Sequence, residues 1–250
     1  MNSQLHRFPV HPLSIDEVLE VVTWWVSNRR RPPAFIVQFN AYTYVNIREN
    51  PNYADALIDA DLSVADGMPI VWLLRRRGYK AARRVYGPDL MIAICEEAAL
   101  NGWRCFLYGG SPGVPELLKQ ALLTRFPALK IVGCYSPPFR ELTREEDEDI
   151  CLRINATMPD LVFVGLGGPK QDLWMHEHRS RIHASVIHGV GAAFDFISGR
   201  LPQAPRWMMN AGLEWLFRLA LEPRRLWKRY TLSNAKFLFY ALRYEFVKRS

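Results

Sequence analysis

The sequence PDLVFVGLGGPKQDLW, residues 159–174, is the stretch that decides the fold. Its run from Leu161 to Val164 is apolar and rich in β-branched residues, as expected of a strand buried on both faces of a parallel sheet. The chain then turns through glycines, and Pro169 suits a first helical turn, because its missing N–H would have no partner there. The stretch therefore predicts a strand, a glycine-rich turn and a helix, whose free amides and positive end favour an anionic ligand. A tight turn without a ligand is the alternative, since short glycine patterns recur by chance.

The same alternation runs along most of the chain. Ser14 and Glu17 form a capping box, and Thr143 and Glu146 form a second one, so each pair predicts the start of a helix. Helical periodicity and capping predict helices at 14–28, from about 41, and at about 53–60, 68–77, 88–101, 114–126 and 143–157. Apolar runs predict further strands at 34–39, 62–65, 104–108, 130–134 and 184–188. This alternation predicts an α/β fold, with a Rossmann-like, mostly parallel sheet covered by helices on both faces.

Glycines and polar side chains gather where the predicted strands end. In a parallel α/β sheet the ligand binds beyond the carboxyl ends of the strands. Those ends carry Asn40, Asp66–Gly67, Gly109–Gly110, Gly165–Gly168 and Gly189–Gly191. A dinucleotide is disfavoured, because neither GGSPG nor GLGGPK completes the G-x-G-x-x-G spacing, and no acidic residue ends the following strand. A Walker loop is absent from the sequence. The strand ends together predict a ligand-binding crevice.

The composition is typical of a globular protein that works in the cytoplasm. Of the 250 residues, 49% are hydrophobic and 23% are charged, which is ordinary for a soluble chain. The four cysteines show no metal-ligand or redox spacing and no signal peptide precedes them, so we expect reduced thiols. No apolar run approaches the ~18 residues of a membrane span.

Positive charge is concentrated in the last fifth of the chain. The net charge is +7, but residues 200–250 carry eleven Lys or Arg against three Glu, and residues 1–199 carry a net −1. Strand signals also end here, so we place a boundary near Arg200 between an α/β domain, 1–199, and a basic helical C-terminal appendage, 200–250. Its cations interleave with the aromatic residues Trp207, Trp215, Phe217, Trp227 and Tyr230. This mixture favours contact with an anionic membrane surface, with plain helix packing and RNA binding as alternatives.

Seven ordered motifs resemble the bacterial WecG/TagA/CpsF glycosyltransferases, over about residues 36–230. They are the asparagine after the first strand of the predicted sheet (Asn40), VADGMPIVW, RVYGPDL, LYGGSPGV, VGLGGPKQD, GVGAAFDFISGRLPQAP and GLEWLFRLALEPRRLWKRY. The resemblance implies an inverting transferase that moves N-acetylmannosamine or a related hexose from a UDP-sugar. The implied acceptor is a polyprenyl-diphosphate-linked saccharide at the inner face of the cell membrane. Residues 1–199 would then bind the UDP-sugar and catalyse transfer.

The resemblance also implies roles for individual residues. Such a transfer needs a base for the acceptor hydroxyl, and Asp66 is the candidate, although an Asp-Gly pair is often only a turn. Gln171 is the candidate for the uracil edge or a sugar hydroxyl. The alternative for Arg84 is a plain surface position, and the alternative for Asp195 is that it only orients a loop. The candidate substrate-binding residues are Asn40, Gly67, Arg84, Gly109, Gly110, Ser111, Gly165, Gly167, Gln171, Asp195, Arg218, Arg224 and Arg229. Gln38 stands where the family often has threonine, so the contacts at the first strand are open.

No metal or other cofactor is expected beside the UDP-sugar. Asp59 and Asp61 have the D-x-D spacing of metal-dependent transferases, but Asp59 falls in the last turn of a predicted helix and the family works without metal. His176 and His178 are two residues apart, and the histidines show no metal-ligand grouping. The expected partners are the UDP-sugar, the lipid-linked saccharide and an anionic membrane surface, without nucleic acid. Whether the chain forms a homo-oligomer is open, and the alternative function is a non-catalytic regulator that binds a nucleotide or RNA.

Overall fold

The centre of the protein is a six-stranded sheet in which every strand runs parallel to its neighbours. The computed structural model describes residues 3–5 and 8–246. The strands of the sheet are β3 (Ala34–Phe39), β4 (Leu62–Ala65), β5 (Arg104–Gly109), β6 (Lys130–Tyr135), β7 (Leu161–Gly165) and β8 (Val186–Gly189), in the order β4-β3-β8-β7-β5-β6. The predicted parallel α/β sheet is confirmed. β7 lies inside it between β5 and β8, which explains its unbroken apolar sequence.

Two short strands that the sequence pattern does not predict precede the sheet. β1 (Ser3–Leu5) and β2 (Phe8–Val10) pair antiparallel to each other. Three residues a strand are too few for a periodic signal. The chain also places His11 beside β4, where its backbone N–H donates to the Ser63 carbonyl oxygen over 2.8 Å.

The helices cover both faces of the sheet. They are α1 (Ile15–Ser27), α2 (Ala41–Glu49), α3 (Pro51–Ile58), α4 (Met68–Arg76), α5 (Gly87–Asn101), α6 (Val114–Arg125), α7 (Arg144–Ala156) and α8 (Lys170–His178). Both predicted capping boxes are present, at Ser14 with Glu17 and at Thr143 with Glu146. Pro169 immediately precedes α8 as its N-cap, rather than standing inside the first turn.

Alternate side chains of the strands supply two separate cores. Phe35, Val37 and Phe39 of β3 belong to one core, which includes Tyr53 and Leu57 of α3. Ile36 and Phe163 belong to the other, which is built with α1, α5 and α6. This period-two division of each strand is what a sheet buried on both faces requires.

Gly109 and Gly165 allow β5 and β7 to meet at their carboxyl ends. A Cβ on Gly109 would lie 2.7 Å from the carbonyl carbon of Gly165, and the φ of Gly109 is +117°, where other residues are strained. A Cβ on Gly165 would lie 2.8 Å from the ring of Phe194. The glycines that end β5 and β7 are therefore required first by close packing.

The C-terminal helices fold back over the carboxyl ends of the strands. They are α9 (Ala193–Ile197), α10 (Arg206–Asn210), α11 (Glu214–Leu221) and α12 (Pro223–Ala241), followed by a π-helical turn, Leu242–Phe246. α12 packs on α2, where the rings of Tyr44 and Phe237 meet edge to face with centroids 5.3 Å apart. Among the described residues, no helix is both long and apolar enough to pass through a bilayer.

Candidate functional site

A cleft of about 800 Å³ opens at the carboxyl ends of the strands. Its wall includes these residues that the sequence analysis selected: Asn40, Asp66, Gly110, Ser111, Gly165, Gly167, Gln171, Asp195 and Arg218. A smaller cavity of about 130 Å³ lies between α2, α4 and the C-terminal helices, and it is lined by Gly67 and Arg84 as well as Asn40, Asp66 and Arg218. The structure therefore brings most of the predicted residues together around two neighbouring spaces.

Asp66 stands at the wall between these two spaces. Its backbone N–H donates to the Phe39 carbonyl oxygen over 2.9 Å, which ties the end of β4 to the end of β3. The carboxylate is 20% exposed and lies 3.4 Å from a guanidinium nitrogen of Arg84. Burial raises the pKa of Asp66 above its ordinary value, and the opposing charge of Arg84 does not cancel the rise. Asp66 is thus a largely desolvated carboxylate that borders two spaces.

Arg84 lies between Asp66 and a second carboxylate that comes from α11. Its Nη2 donates to Glu214 Oε2 over 2.5 Å, and its guanidinium carbon lies 4.2 Å from the centre of the Tyr86 ring. Tyr86 donates its hydroxyl to Glu214 Oε1 over 3.3 Å. Burial, and then the Glu214 carboxylate, raises the pKa of Tyr86, so the phenol remains a donor. One arginine is therefore shared by two carboxylates, and the closer one belongs to the C-terminal appendage.

Asn40 and Gln171 shape the loops on either side of the cleft. Asn40 is the N-cap of α2, and its Oδ1 accepts from the backbone N–H groups of Tyr42 and Thr43 over 3.0 and 3.1 Å. Gln171 is buried, accepts from the Gly191 N–H over 2.8 Å and donates to Asp172 over 3.3 Å. Both ends of its amide are therefore held by the protein. A role for Gln171 at the uracil edge stays a prediction.

The glycine turns do not all face the cleft. Gly110 and Gly167 line it, and a Cβ on Gly167 would meet no atom within 4 Å. Ser111 accepts from Arg200 over 3.2 Å. Gly109 instead packs against the backbone of Gly165, so the structure requires a glycine there for strand packing. Its role in substrate binding stays a prediction.

Gln38 and His188 form a buried polar pair in the floor of the cleft. His188 is fully buried, and this burial lowers its pKa to about 3, so the ring is neutral. The two Nε2 atoms lie 2.9 Å apart, with the Gln38 amide as the donor. Gln38 is 7% exposed and lines the cleft, yet its Oε1 has no partner among the described residues. Gln38 therefore places at the floor of the cleft a buried acceptor without a partner in the described part of the chain.

The cations near the cleft differ in part from those predicted. Arg218 lines both spaces, with its guanidinium carbon 5.4 Å from the centre of the Phe196 ring. Arg224 is exposed, and the neighbouring Arg225 lines the cleft in its place. The side chain of Arg229 lies outside the described part of the structure. Arg225, rather than Arg224, faces the cleft because consecutive residues of a helix point in different directions.

Asp195 and Arg200 meet at the far rim of the cleft. Arg200 donates to Asp195 Oδ1 over 2.8 Å, and both residues line the cleft. The ion pair connects α9 to the loop that leads into the C-terminal helices. Asp195 therefore orients a loop in this structure, while a direct contact with substrate stays a prediction.

Two groups of possible metal ligands lie outside the cleft. Asp61 of the D-x-D pair accepts from the guanidinium groups of Arg30 and Arg179 and from the backbone of Phe35, which makes it a structural residue. Asp147, Cys151 and His178 have ligand atoms within 4.8 Å of one another, a grouping that the sequence did not reveal because α7 and α8 bring it together. Within it, Asp147 already holds His178 over 2.7 Å and Arg181 over 2.5 Å.

Several residues around the site escaped sequence reasoning. These are Tyr86, Arg200, Glu214, Arg225 and His188. The positions of Tyr86 and Glu214 within RVYGPDL and GLEWLFRL were the available signal, since both motifs carried the resemblance. Their pairing depends on how the appendage folds over the sheet, which no local pattern encodes.

The chain is similar to known proteins over most of its length. A family model described as "Glycosyl transferase WecG/TagA/CpsF family" matches residues 3–250, through both the sheet and the C-terminal helices. One similar protein is the N-acetylglucosaminyldiphosphoundecaprenol N-acetyl-beta-D-mannosaminyltransferase of Bacillus spizizenii. It is 32% identical over 212 residues, which cover 85% of this chain and 80% of that protein.

Proposed function

Because the chain belongs to the WecG/TagA/CpsF family of glycosyltransferases, we propose that it moves a sugar from a UDP-sugar to a saccharide carried on a polyprenyl diphosphate. Transfer inverts the anomeric carbon, and Asp66 is the base. The relative from Bacillus spizizenii is named for a transfer of this kind, with an N-acetylmannosamine group and an acceptor on undecaprenyl diphosphate.

The observation that carries this proposal is the position of Asp66 between two spaces. The larger cleft has the volume of a typical small-molecule site, which runs from about 300 to 1,000 Å³. The smaller cavity meets it at Asp66 and opens among the C-terminal helices. The acceptor hydroxyl attacks the anomeric carbon from the side opposite the leaving diphosphate. The base that deprotonates this hydroxyl must therefore lie between the donor and the acceptor.

The proposed chemistry is a single displacement. As the acceptor oxygen bonds to the anomeric carbon, its proton passes to Asp66. The bond from that carbon to the diphosphate oxygen breaks, and the electron pair leaves on UDP. A carboxylate that burial makes more basic is suited to take the proton.

The charge that develops on the leaving diphosphate needs preorganised donors. Arg218 is the candidate among the described cations, since its Nε is buried without a hydrogen-bond partner there and its side chain lines both spaces. Gly167 and Gly168 precede α8 and line the same cleft, so the positive end of that helix and its free amides are further candidates. Gln38 Oε1 can accept from a sugar hydroxyl or acetamido N–H.

The test is transfer to a short-chain polyprenyl-diphosphate N-acetylglucosamine from each of a panel of UDP-sugars. Asp66→Asn should lower kcat by about 10²- to 10⁴-fold and leave UDP affinity nearly unchanged, because the amide cannot take a proton. Asp59→Asn is the matched control, since that carboxylate is 56% exposed at the end of α3 and away from the cleft. Near-normal turnover by Asp66→Asn would remove Asp66 as the base.

We also propose that the appendage rests on an anionic membrane surface, where a lipid-linked acceptor would be reached. Its helices expose large apolar side chains beside cations, namely Trp207, Leu216, Leu221, Trp227, Leu232, Leu238 and Phe239. Aromatic rings settle at the headgroup level, and each nearby Lys or Arg adds about 1 kcal/mol on anionic lipid.

Sedimentation with lipid vesicles tests this second proposal. Trp207→Ala with Trp227→Ala should weaken binding to vesicles that contain anionic lipid, whereas Trp24→Ala should not. Trp24 is a fair control because it is 58% exposed on α1, compared with 66% for Trp207 and 50% for Trp227. Equal binding by all three proteins would contradict the membrane surface.

A further inference from the structure

The cluster of Asp66, Arg84, Tyr86 and Glu214 contains a carboxylate that the proposed reaction does not use. Glu214 is the first residue of α11 and is separated from Arg84 by 130 positions. Its side chain is 16% exposed, and its two oxygens receive Arg84 and the hydroxyl of Tyr86. A carboxylate so far desolvated and so fully engaged is held in one orientation.

We propose that Glu214 is a positioning residue. It holds Arg84 in a close ion pair and so keeps Arg84 from pairing tightly with Asp66, which stays available as a base. This inference rests on the proposed function in one respect, namely the role of Asp66. It concerns a residue of the C-terminal appendage that lines both spaces and is linked to Asp66 through Arg84.

The distances show which carboxylate has the stronger hold on Arg84. The contact with Glu214 is 2.5 Å and the contact with Asp66 is 3.4 Å, and both run to the same guanidinium nitrogen. Stacking of Arg84 on the Tyr86 ring, with the Tyr86 hydroxyl on Glu214, fixes the arginine from a third side. These contacts hold Arg84 closer to Glu214 than to Asp66.

A tight ion pair would make Asp66 a poorer base. An arginine in direct contact lowers the pKa of an Asp by about 1–3 units, whereas a shared arginine at longer range lowers it less. Burial is the first cause that raises the pKa of Asp66, Arg84 opposes it, and the charge of Glu214 raises it further. Removal of Glu214 therefore acts twice, since it takes away a like charge and frees Arg84 to approach.

Other titratable or charged groups also lie around Asp66 on the side of the smaller cavity. Those described are Tyr42 of α2, Arg84 and Tyr86 of the loop before α5, Glu214 and Arg218 of α11, and Tyr230 of α12. Arg218 lowers the pKa of Asp66, but less than Arg84 does. Glu214 is thus the one acidic neighbour of Asp66 among the described residues of the smaller cavity, while the larger cleft, which Asp66 also lines, carries Glu141, Asp172 and Asp195.

The decisive measurement is the titration of Asp66 itself, followed by ¹³C NMR of aspartate carboxyl carbons in the full-length protein. The Asp66 signal is assigned by its loss in Asp66→Asn. In Glu214→Gln its midpoint should fall by about one pH unit, and kcat should fall about tenfold with little change in the KM for the UDP-sugar. Glu214→Asp, which keeps the charge, should restore most of the midpoint. Glu148→Gln is the control, because it removes a carboxylate from an exposed ion pair with Arg144 on α7.

The outcomes separate positioning from a merely structural role. If Glu214 only fastened α11 to the sheet, Glu214→Gln would lower the melting temperature and leave the Asp66 midpoint unchanged, and this result would overturn the proposal. A lowered midpoint with reduced kcat supports it. A lowered midpoint in a protein that transfers no sugar from any UDP-sugar would still support the control of Asp66 by Glu214, while refuting the proposed function.

Discussion

Replacement of Gly109 by alanine should destabilise the fold far more than the same change at Gly113. Both glycines have positive φ, +117° and +84°; Gly109 is the last residue of β5, and Gly113 is the N-cap of α6. A Cβ at position 109 would lie 2.7–2.9 Å from three backbone atoms of Gly165, whereas a Cβ at position 113 would meet nothing within 4 Å. The two variants therefore share backbone strain and differ in steric overlap.

The magnitude follows from these contacts. Positive φ costs a non-glycine residue about 1–3 kcal/mol. Overlap with a backbone that cannot rotate away adds about 1–3 kcal/mol. Separation of the strands would also weaken the bond from the Gly110 N–H to the Gly165 carbonyl, worth about 1 kcal/mol. We expect a loss of roughly 4 kcal/mol for Gly109→Ala and about 1–2 kcal/mol for Gly113→Ala.

Thermal and urea unfolding followed by circular dichroism measure both variants. At about 2–4 °C per kcal/mol for a chain of this size, Gly109→Ala should melt roughly 8–16 °C below the wild type. UDP affinity should fall as well, since the turn before α6 borders the cleft. Melting of Gly109→Ala within about 1 °C of Gly113→Ala would refute the steric argument.

Two further predictions concern buried polar groups. Asp61→Asn should lower the free energy of unfolding by about 2 kcal/mol, and the melting temperature by about 4–8 °C, because Arg30 and Arg179 lose a charged acceptor. Asp59→Asn, at an exposed position, should change the melting temperature little. Equal effects of the two substitutions would contradict this prediction. His188 has a folded pKa of about 3 against an ordinary 6.5, so only the unfolded chain gains its proton as pH falls. As the pH falls from about 6 to about 4, the free energy of unfolding of the wild type, measured with urea, should fall relative to that of His188→Leu by up to about 1.4 kcal/mol per pH unit. If the two free energies instead changed in parallel with pH, the histidine would not stay neutral in the folded protein.

Most of the sheet could be predicted from sequence because its signals are local. Buried strands are apolar runs, and polar or glycine residues end them, so the bounds of β3 and β4 agree with the prediction. β8 begins two residues later than predicted, at Val186, since Ala184 and Ser185 approach the sheet outside its ladder. The pair β1 and β2 was missed, because its strands are too short for any period to show.

The candidate site was predictable where strand ends define it and unpredictable where the appendage does. Asn40 and Asp66 follow directly from the rule that ligands bind beyond parallel strands. Glu214 and Arg225 enter only because α11 and α12 pack across those ends. Sequence reasoning identified the charge of this segment but not which side chains it would point inward. Gly109 shows the opposite case, where a ligand-like turn is explained by strand packing.

The ion pair between Arg84 and Glu214 has a consequence for the construction of hybrid enzymes. A chimera that exchanges only the last fifth of the chain with that of another family member would bring a foreign α11 against the native loop at 84–86. Glu214 of such a hybrid would come from one parent, and its partner Arg84 from the other. Exchanges should therefore carry both segments as a single unit, despite the 130 positions between them.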